Sequence, residues 1–145
     1  MRRCPWRTYS YKLPDGFMIF ELDQDLKKEK SAIELYLKRS GNKYKKLSPL
    51  DVDFRILNDS KSLVGYADVK VLDTTMKDSF PLSVDARKII KLRDKRLSAV
   101  MIWYCIDGIL YLPIEGLKGE ARWCDVTGEL TLYYNDKKLF KYVKP

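Results

Sequence analysis

Residues 51–72 read DVDFRILNDSKSLVGYADVKVL. Apolar residues recur at every second position on both sides of the polar NDSKS, which is the pattern of two half-buried strands joined by a turn. On the first strand Asp51, Asp53 and Arg55 share one face and Val52, Phe54 and Ile56 the other; on the second, Tyr66, Asp68 and Lys70 oppose Ala67, Val69 and Val71. A register that sets Asp53 opposite Asp68 pairs Leu57 with Val64, leaves residues 58–63 as the loop and places Asp51 across from Lys70. Two carboxylates opposed at about 5 Å between Cβ atoms repel each other. A hard divalent cation is the natural group to set between them.

Upstream of this hairpin, Glu21 or Asp25 to Ser40 has helical periodicity. Leu22, Leu26, Ile33, Tyr36 and Leu37 fall on one stripe, Lys38 and Arg39 occupy the last turn, and Gly41 is the stop. With Leu22 at 0°, Glu29 lands at about −20°, inside the apolar stripe, and Glu34 at about 120°, outside it. Residues 1–20, with Pro5, Pro14 and Gly16, read as an irregular arm ending in the short apolar FMIF, and NKYKK before Pro49 reads as a basic connection.

Downstream, Ser83 is the expected N-cap of a second helix over 84–96, with Asp85 in its first turn and six cations: Arg87, Lys88, Lys91, Arg93, Lys95 and Arg96. Such a run is either a solvated face or a phosphate-facing one, and Arg87, Lys88, Lys91 and Lys95 are its candidate nucleic-acid contacts. AVMIWYCI, residues 99–106, suits a central strand covered on both faces. Asp107-Gly108 then turns the chain into 109–114. The tail, 119–145, reads as two or three short strands with turns at Thr127-Gly128 and Asn135-Asp136; its aromatics Trp123, Tyr133, Tyr134, Phe140 and Tyr142 serve sheet packing or base stacking.

The 145 residues suffice for one domain, with a core at about 21–115. A net charge of +8 favours polyanionic partners. Histidine is absent, which removes Ser-His-Asp and Cys-His nucleophiles and His-dependent zinc chemistry. Catalysis would have to rest on carboxylates, lysine and metal. Cys4, Cys105 and Cys124 form no CxxC pair, so a reducing, cytoplasmic setting is expected; no run resembles a signal peptide or a membrane span.

The order of opening helix with an inward acid, Asp53, then Asp68-Val69-Lys70 on the next strand, basic helix and buried strand resembles the PD-(D/E)XK nuclease superfamily over residues 24–115, its small phage-encoded members above all. That resemblance implies an α/β fold: a mixed central sheet flanked by helices (α/β/α, restriction-endonuclease-like), here with a C-terminal β-hairpin extension. It implies a magnesium-dependent deoxyribonuclease, manganese substituting, with Asp53, Asp68, the Val69 carbonyl and Glu29 as metal ligands and Lys70 orienting the attacking water. It also implies host cytoplasm as the location if the chain is phage-encoded. Asp53 follows Val52 where the family has Pro, and position 68 is Asp where Glu is common. Asp51 competes with Asp53, and Glu34 is the less favoured helix acid. The alternative is a nuclease-like fold that binds nucleic acid without cutting, within a packaging or recombination assembly. DNA against RNA, substrate form and a homodimer stay open.

Overall fold

The hairpin belongs to a six-stranded sheet whose strands come from between Lys43 and Val143. The computed structural model describes residues 9–12, 18–21, 23–47, 53–95, 97–116, 120–124 and 128–145. Cys4, Pro5, Pro14, Gly16, Leu22, Pro49, Asp51, Val52, Arg96 and Thr127, all used above, lie outside them. In chain order the elements are β1 (Tyr9–Lys12), β2 (Met18–Glu21), α1 (Asp23–Leu37), β3 (Lys43–Lys46), β4 (Phe54–Leu57) and β5 (Leu63–Val71). They continue with β6 (Leu82–Asp85), α2 (Ala86–Asp94), β7 (Ser98–Cys105), β8 (Gly108–Pro113), β9 (Glu120–Cys124), β10 (Glu129–Tyr134) and β11 (Lys141–Val143).

The central sheet has the order β11-β8-β7-β5-β4-β3, a second sheet has β6-β10-β9, and β1 pairs with β2. Within the central sheet β5 and β7 are parallel and their neighbours antiparallel, so the sheet is mixed. A parallel pair needs a crossover, and the segment carrying β6 and α2 supplies it. The strands at the heart of that pair come close: a Cβ at Gly65 would lie 2.7 Å from the Ser98 carbonyl oxygen, so β5 needs glycine there.

Helices cover both faces, giving the mixed α/β architecture. On one side Ala32, Ile33 and Leu37 of α1 pack with Phe54, Ile56, Ala67, Val69, Val71, Val100, Ile102 and Ile109. On the other, Ile89 and Leu92 of α2 and Leu82 and Val84 of β6 pack on Ala99, Met101, Trp103 and Leu112. Residues 99–105 alternate between the two clusters, which is why their apolar run is unbroken. Trp103, Tyr134 and Phe140 meet edge to face at 5.4 to 6.4 Å between centroids, so these two tail aromatics are core residues; Trp123 and Tyr142 are exposed. Cys105 and Cys124 are buried. Among the described residues no helix is long and apolar enough to cross a membrane.

Four local expectations are corrected. Within the arm read as irregular, Tyr9–Lys12 and Met18–Glu21 pair as antiparallel strands, β1 with β2. Residues 43–46 of the basic connection form an edge strand, β3, paired with β4. Ser83 is not a helix cap but lies in β6, because Leu82 and Val84 alternate into the core and the strand pairs with β10; the N-cap is Asp85. The hairpin register holds from Phe54↔Ala67 to Ile56↔Gly65, then shifts so that Leu57 meets Leu63 and not Val64. The cause is the turn: Asn58 Oδ1 accepts from the amides of Ser60 and Ser62, and Lys61 sits at φ 61°, which closes the loop one residue early.

Candidate functional site

Three elements bring Asp53 and Asp68 together. Asp53 stands at the bend just before β4, and its carbonyl accepts from Leu47 N, past the end of β3, at 2.9 Å. Asp68 lies in mid-β5, between β4 and β7. The two residues lock each other: Asp53 N donates to Asp68 Oδ1 at 3.0 Å, and Val69 N donates to Asp53 Oδ2 at 2.8 Å. Both are buried, Asp53 at 8% and Asp68 at 1% exposure.

The remaining carboxylate oxygens face lysines arriving from opposite sides of the sheet. Lys46 Nζ donates to Asp53 Oδ1 at 3.1 Å and to Glu29 Oε1 at 2.8 Å, joining the helix acid to the strand acid. Lys88 Nζ donates to Asp68 Oδ1 at 3.4 Å and lies 3.2 Å from Oδ2. That second approach is an ion pair off hydrogen-bonding geometry, since buried Oδ2 has no hydrogen-bond partner among the described residues. A buried carboxylate oxygen so placed has capacity left for a further cation.

β3 aligns with α1 to build the outer half of the network. Tyr44 and Lys46, two residues apart on a strand, reach Glu34 and Glu29, five apart on the helix. The rises match, at about 6.8 Å along a strand and about 7.5 Å along a helix. Tyr44 Oη donates to Glu34 at 2.9 Å, and burial followed by that bond pushes the phenol up to about 12. Glu34 is therefore on the solvent side, whereas the Glu29 side chain is 12% exposed and turned to the acids.

Electrostatics splits the acid pair. Burial first, and then the charge of Asp53, push the Asp68 carboxyl up to about 7 against the pull of Lys88. Burial also pushes Asp53 upward, but Lys88, Lys46, a hydrogen bond with Asp68 and the Val69 amide outweigh it and hold the group below the usual carboxylate range. The two carboxyls are thus coupled, Asp53 pushed toward the anion and Asp68 toward the protonated form.

Lys70 goes elsewhere. Its ammonium donates to the Ser83 carbonyl at 3.1 Å and meets Ser83 Oγ at 2.6 Å, and Trp103 Nε1 donates to the same carbonyl at 3.1 Å. The other α2 cations separate too: exposed Arg87 pairs with Glu129, Lys95 Nζ sits 5.0 Å above the Tyr66 ring, and Lys91 is exposed. Asp51 lies outside the described residues. Lys46 and Ser83 were not among the expected site residues. The period-two pattern of KYKK, which puts Tyr44 and Lys46 on one face, is the signal that could have found Lys46.

Among the described residues no three His, Cys, Asp or Glu side chains form a ready cage for a metal ion. The donor set is instead two carboxylates with lysines around them. No family model matches the chain, and neither a curated protein nor a solved structure matches it.

Proposed function

We propose that the chain is a magnesium-dependent nuclease that hydrolyses phosphodiester bonds of DNA, with manganese able to substitute. The observation that supports it is the Asp53–Asp68 pair: each carboxylate spends one oxygen on a backbone amide of the other strand and turns its second toward a lysine ammonium. Magnesium typically takes one or two carboxylates and keeps several waters, so Asp53 Oδ1 and Asp68 Oδ2 suffice as direct ligands, with the Val69 carbonyl and Glu29 as further donors. The ion would supply Lewis acidity toward the phosphate and acidify a bound water.

The rest falls to the protein. A water oxygen bonds to phosphorus as the bond from phosphorus to the leaving sugar oxygen breaks; the water's proton passes to solvent or to Asp68, and the leaving oxygen takes one from solvent. A lysine ammonium beside the acids stabilises the negative charge that builds on the phosphate oxygens, the kind of preorganised electrostatic help that dominates phosphoryl transfer. The order of helix, three antiparallel strands, crossover helix and parallel strand, with acids before β4 and in β5, agrees with the PD-(D/E)XK resemblance.

The test is incubation with plasmid, single-stranded DNA and RNA in magnesium, manganese or EDTA. The expected result is DNA cleavage with either metal and none in EDTA; metal-independent cleavage, or none under any condition, overturns the reading. A second reading, nucleic-acid binding without cutting, is favoured by the fact that Lys46 and Lys88 already neutralise these acids. It expects salt-sensitive binding that survives Asp68→Asn and Lys70→Ala, with no cleavage.

A further inference from the structure

We infer that the lysine attending the reacting phosphate is Lys88 of α2, and that Lys70 of the D-x-K triplet ties β5 to β6. This rests on the proposed cleavage at Asp53 and Asp68 and names the protein group that meets the substrate there.

The two lysines are both half-buried and differ in partner. Lys70 Nζ spends two contacts on one residue, 3.1 Å to the Ser83 carbonyl and 2.6 Å to its hydroxyl. Ser83 is itself clamped by the indole of Trp103, a side chain wholly buried in the core. An ammonium held this way joins the central sheet to the second one. Lys88 instead touches both oxygens of Asp68, at 3.4 and 3.2 Å, while its side chain keeps 34% of its surface in solvent. It stands beside the acid and within reach of an incoming anion.

The run of α2 over β5 extends this into a track. Lys88 lies over Asp68, and Lys95, seven residues and about 10.5 Å further along the helix, lies over Tyr66. Exposed Lys91 falls between them on the same ridge, since residues three and four apart share a helix face. A phosphate chain following this ridge arrives at the carboxyl pair with Lys88 as the α2 cation nearest to it. There Lys88 donates a hydrogen bond to a non-bridging phosphate oxygen.

Lys88→Ala, Lys88→Arg, Lys70→Ala and Ser83→Ala separate these roles by three readouts: cleavage of plasmid in magnesium, thermal melting, and the salt dependence of DNA binding with calcium in place of magnesium. Lys88→Ala is expected to lower the cleavage rate about 100-fold or more. It should reduce the slope of log Kd against log salt by about 0.7 to 0.9, one phosphate contact. Lys88→Arg should recover part of the rate. Lys70→Ala and Ser83→Ala should each lower the melting temperature, with no additive loss in the double variant, and leave the salt slope unchanged. The assignment is overturned if Lys88→Ala cleaves within threefold of wild type at an unchanged salt slope, or if Lys70→Ala loses about 100-fold in rate with no change in melting. A wild type that cuts nothing defeats the nuclease reading instead, and the salt slope still decides whether Lys88 meets phosphate.

Discussion

The two faces of β5 are both covered by other elements and are built on opposite terms. Toward α1 it presents Ala67, Val69 and Val71, which pack into a dry cluster and ask only for volume and shape. Toward α2 it presents Tyr66, Asp68 and Lys70, where the charged groups are matched to named partners: Asp68 to the Asp53 amide and Lys88, Lys70 to Ser83. Burying ions costs several kcal/mol per group even when they are paired, and an apolar replacement is often as stable. The apolar face therefore accounts for why β5 sits where it does, and the charged face calls for a chemical reason.

That contrast is broken most forcefully by mutating one residue on each side of the central sheet. Asp68→Asn keeps the shape and is expected to reduce DNA cleavage by about 10³-fold or more, the scale of losing a preorganised electrostatic group; retention of more than a tenth of the rate, in a plasmid-nicking time course, would refute the site. Ile102→Ala, next to Val69 in the parallel register and fully buried, should cost about 2–5 kcal/mol of stability by urea unfolding. Its folded fraction should cut DNA at the normal rate.

A pH series sharpens the same comparison. The folded-state value of Asp68 is raised to about 7 from its ordinary 3.8, so the folded protein binds this proton more tightly than the unfolded chain. Stability from this group is fully present below about 4 and is lost as pH climbs toward and through 7. In EDTA the melting temperature should fall between pH 5 and pH 8, and Asp68→Asn should flatten that slope. Asp53, held below its ordinary value, acts in the opposite sense and only in acid, where stability is lost as pH falls through its folded value. A melting temperature that rises from pH 5 to 8 in wild type would contradict the assignment of the proton to Asp68.

The smallest expected effect lies on α1. Glu29→Gln should lower turnover several-fold more than Glu34→Gln, because Lys46 links Glu29 to Asp53 whereas Glu34 holds the exposed Tyr44 hydroxyl. Equal losses in a side-by-side rate measurement would remove Glu29 from the site.

How much of this was legible follows from the range of each interaction. The hairpin and the register at Phe54–Ile56 could be read because alternation is local and one face is buried. Both faces of β7 could be read because continuous apolar runs belong to covered strands. β3 was hidden because KYKK is a charged edge strand, and charge on an edge discourages pairing with other chains while giving no apolar signal. β6 was hidden because Ser83 and Asp85 carry the chemistry of helix caps, and two apolar residues are too few to announce a strand. The lysine partners lay beyond reach: Lys46 meets Glu29 across 17 residues, Lys70 meets Ser83 across 13, and Lys88 meets Asp68 across 20. Flexible side chains of like charge gave no basis for choosing among them. A D-x-K spacing puts Lys70 on the face of Asp68 without saying which way its ammonium turns.

The claim that Asp53 and Asp68 form a divalent-cation site is tested most directly by thermal melting of wild type and Asp68→Asn at pH 8, where Asp68 is mostly ionised, each in EDTA and in millimolar magnesium. A ligand that binds only the folded state raises stability by mass action, and removing one of two opposed carboxylates relieves their repulsion. Wild type should gain melting temperature from magnesium, and Asp68→Asn should melt at or above wild type in EDTA and gain nothing from the metal. If magnesium and manganese leave wild type unmoved and Asp68→Asn melts well below it in EDTA, Asp68 is a structural residue and the metal site is not there.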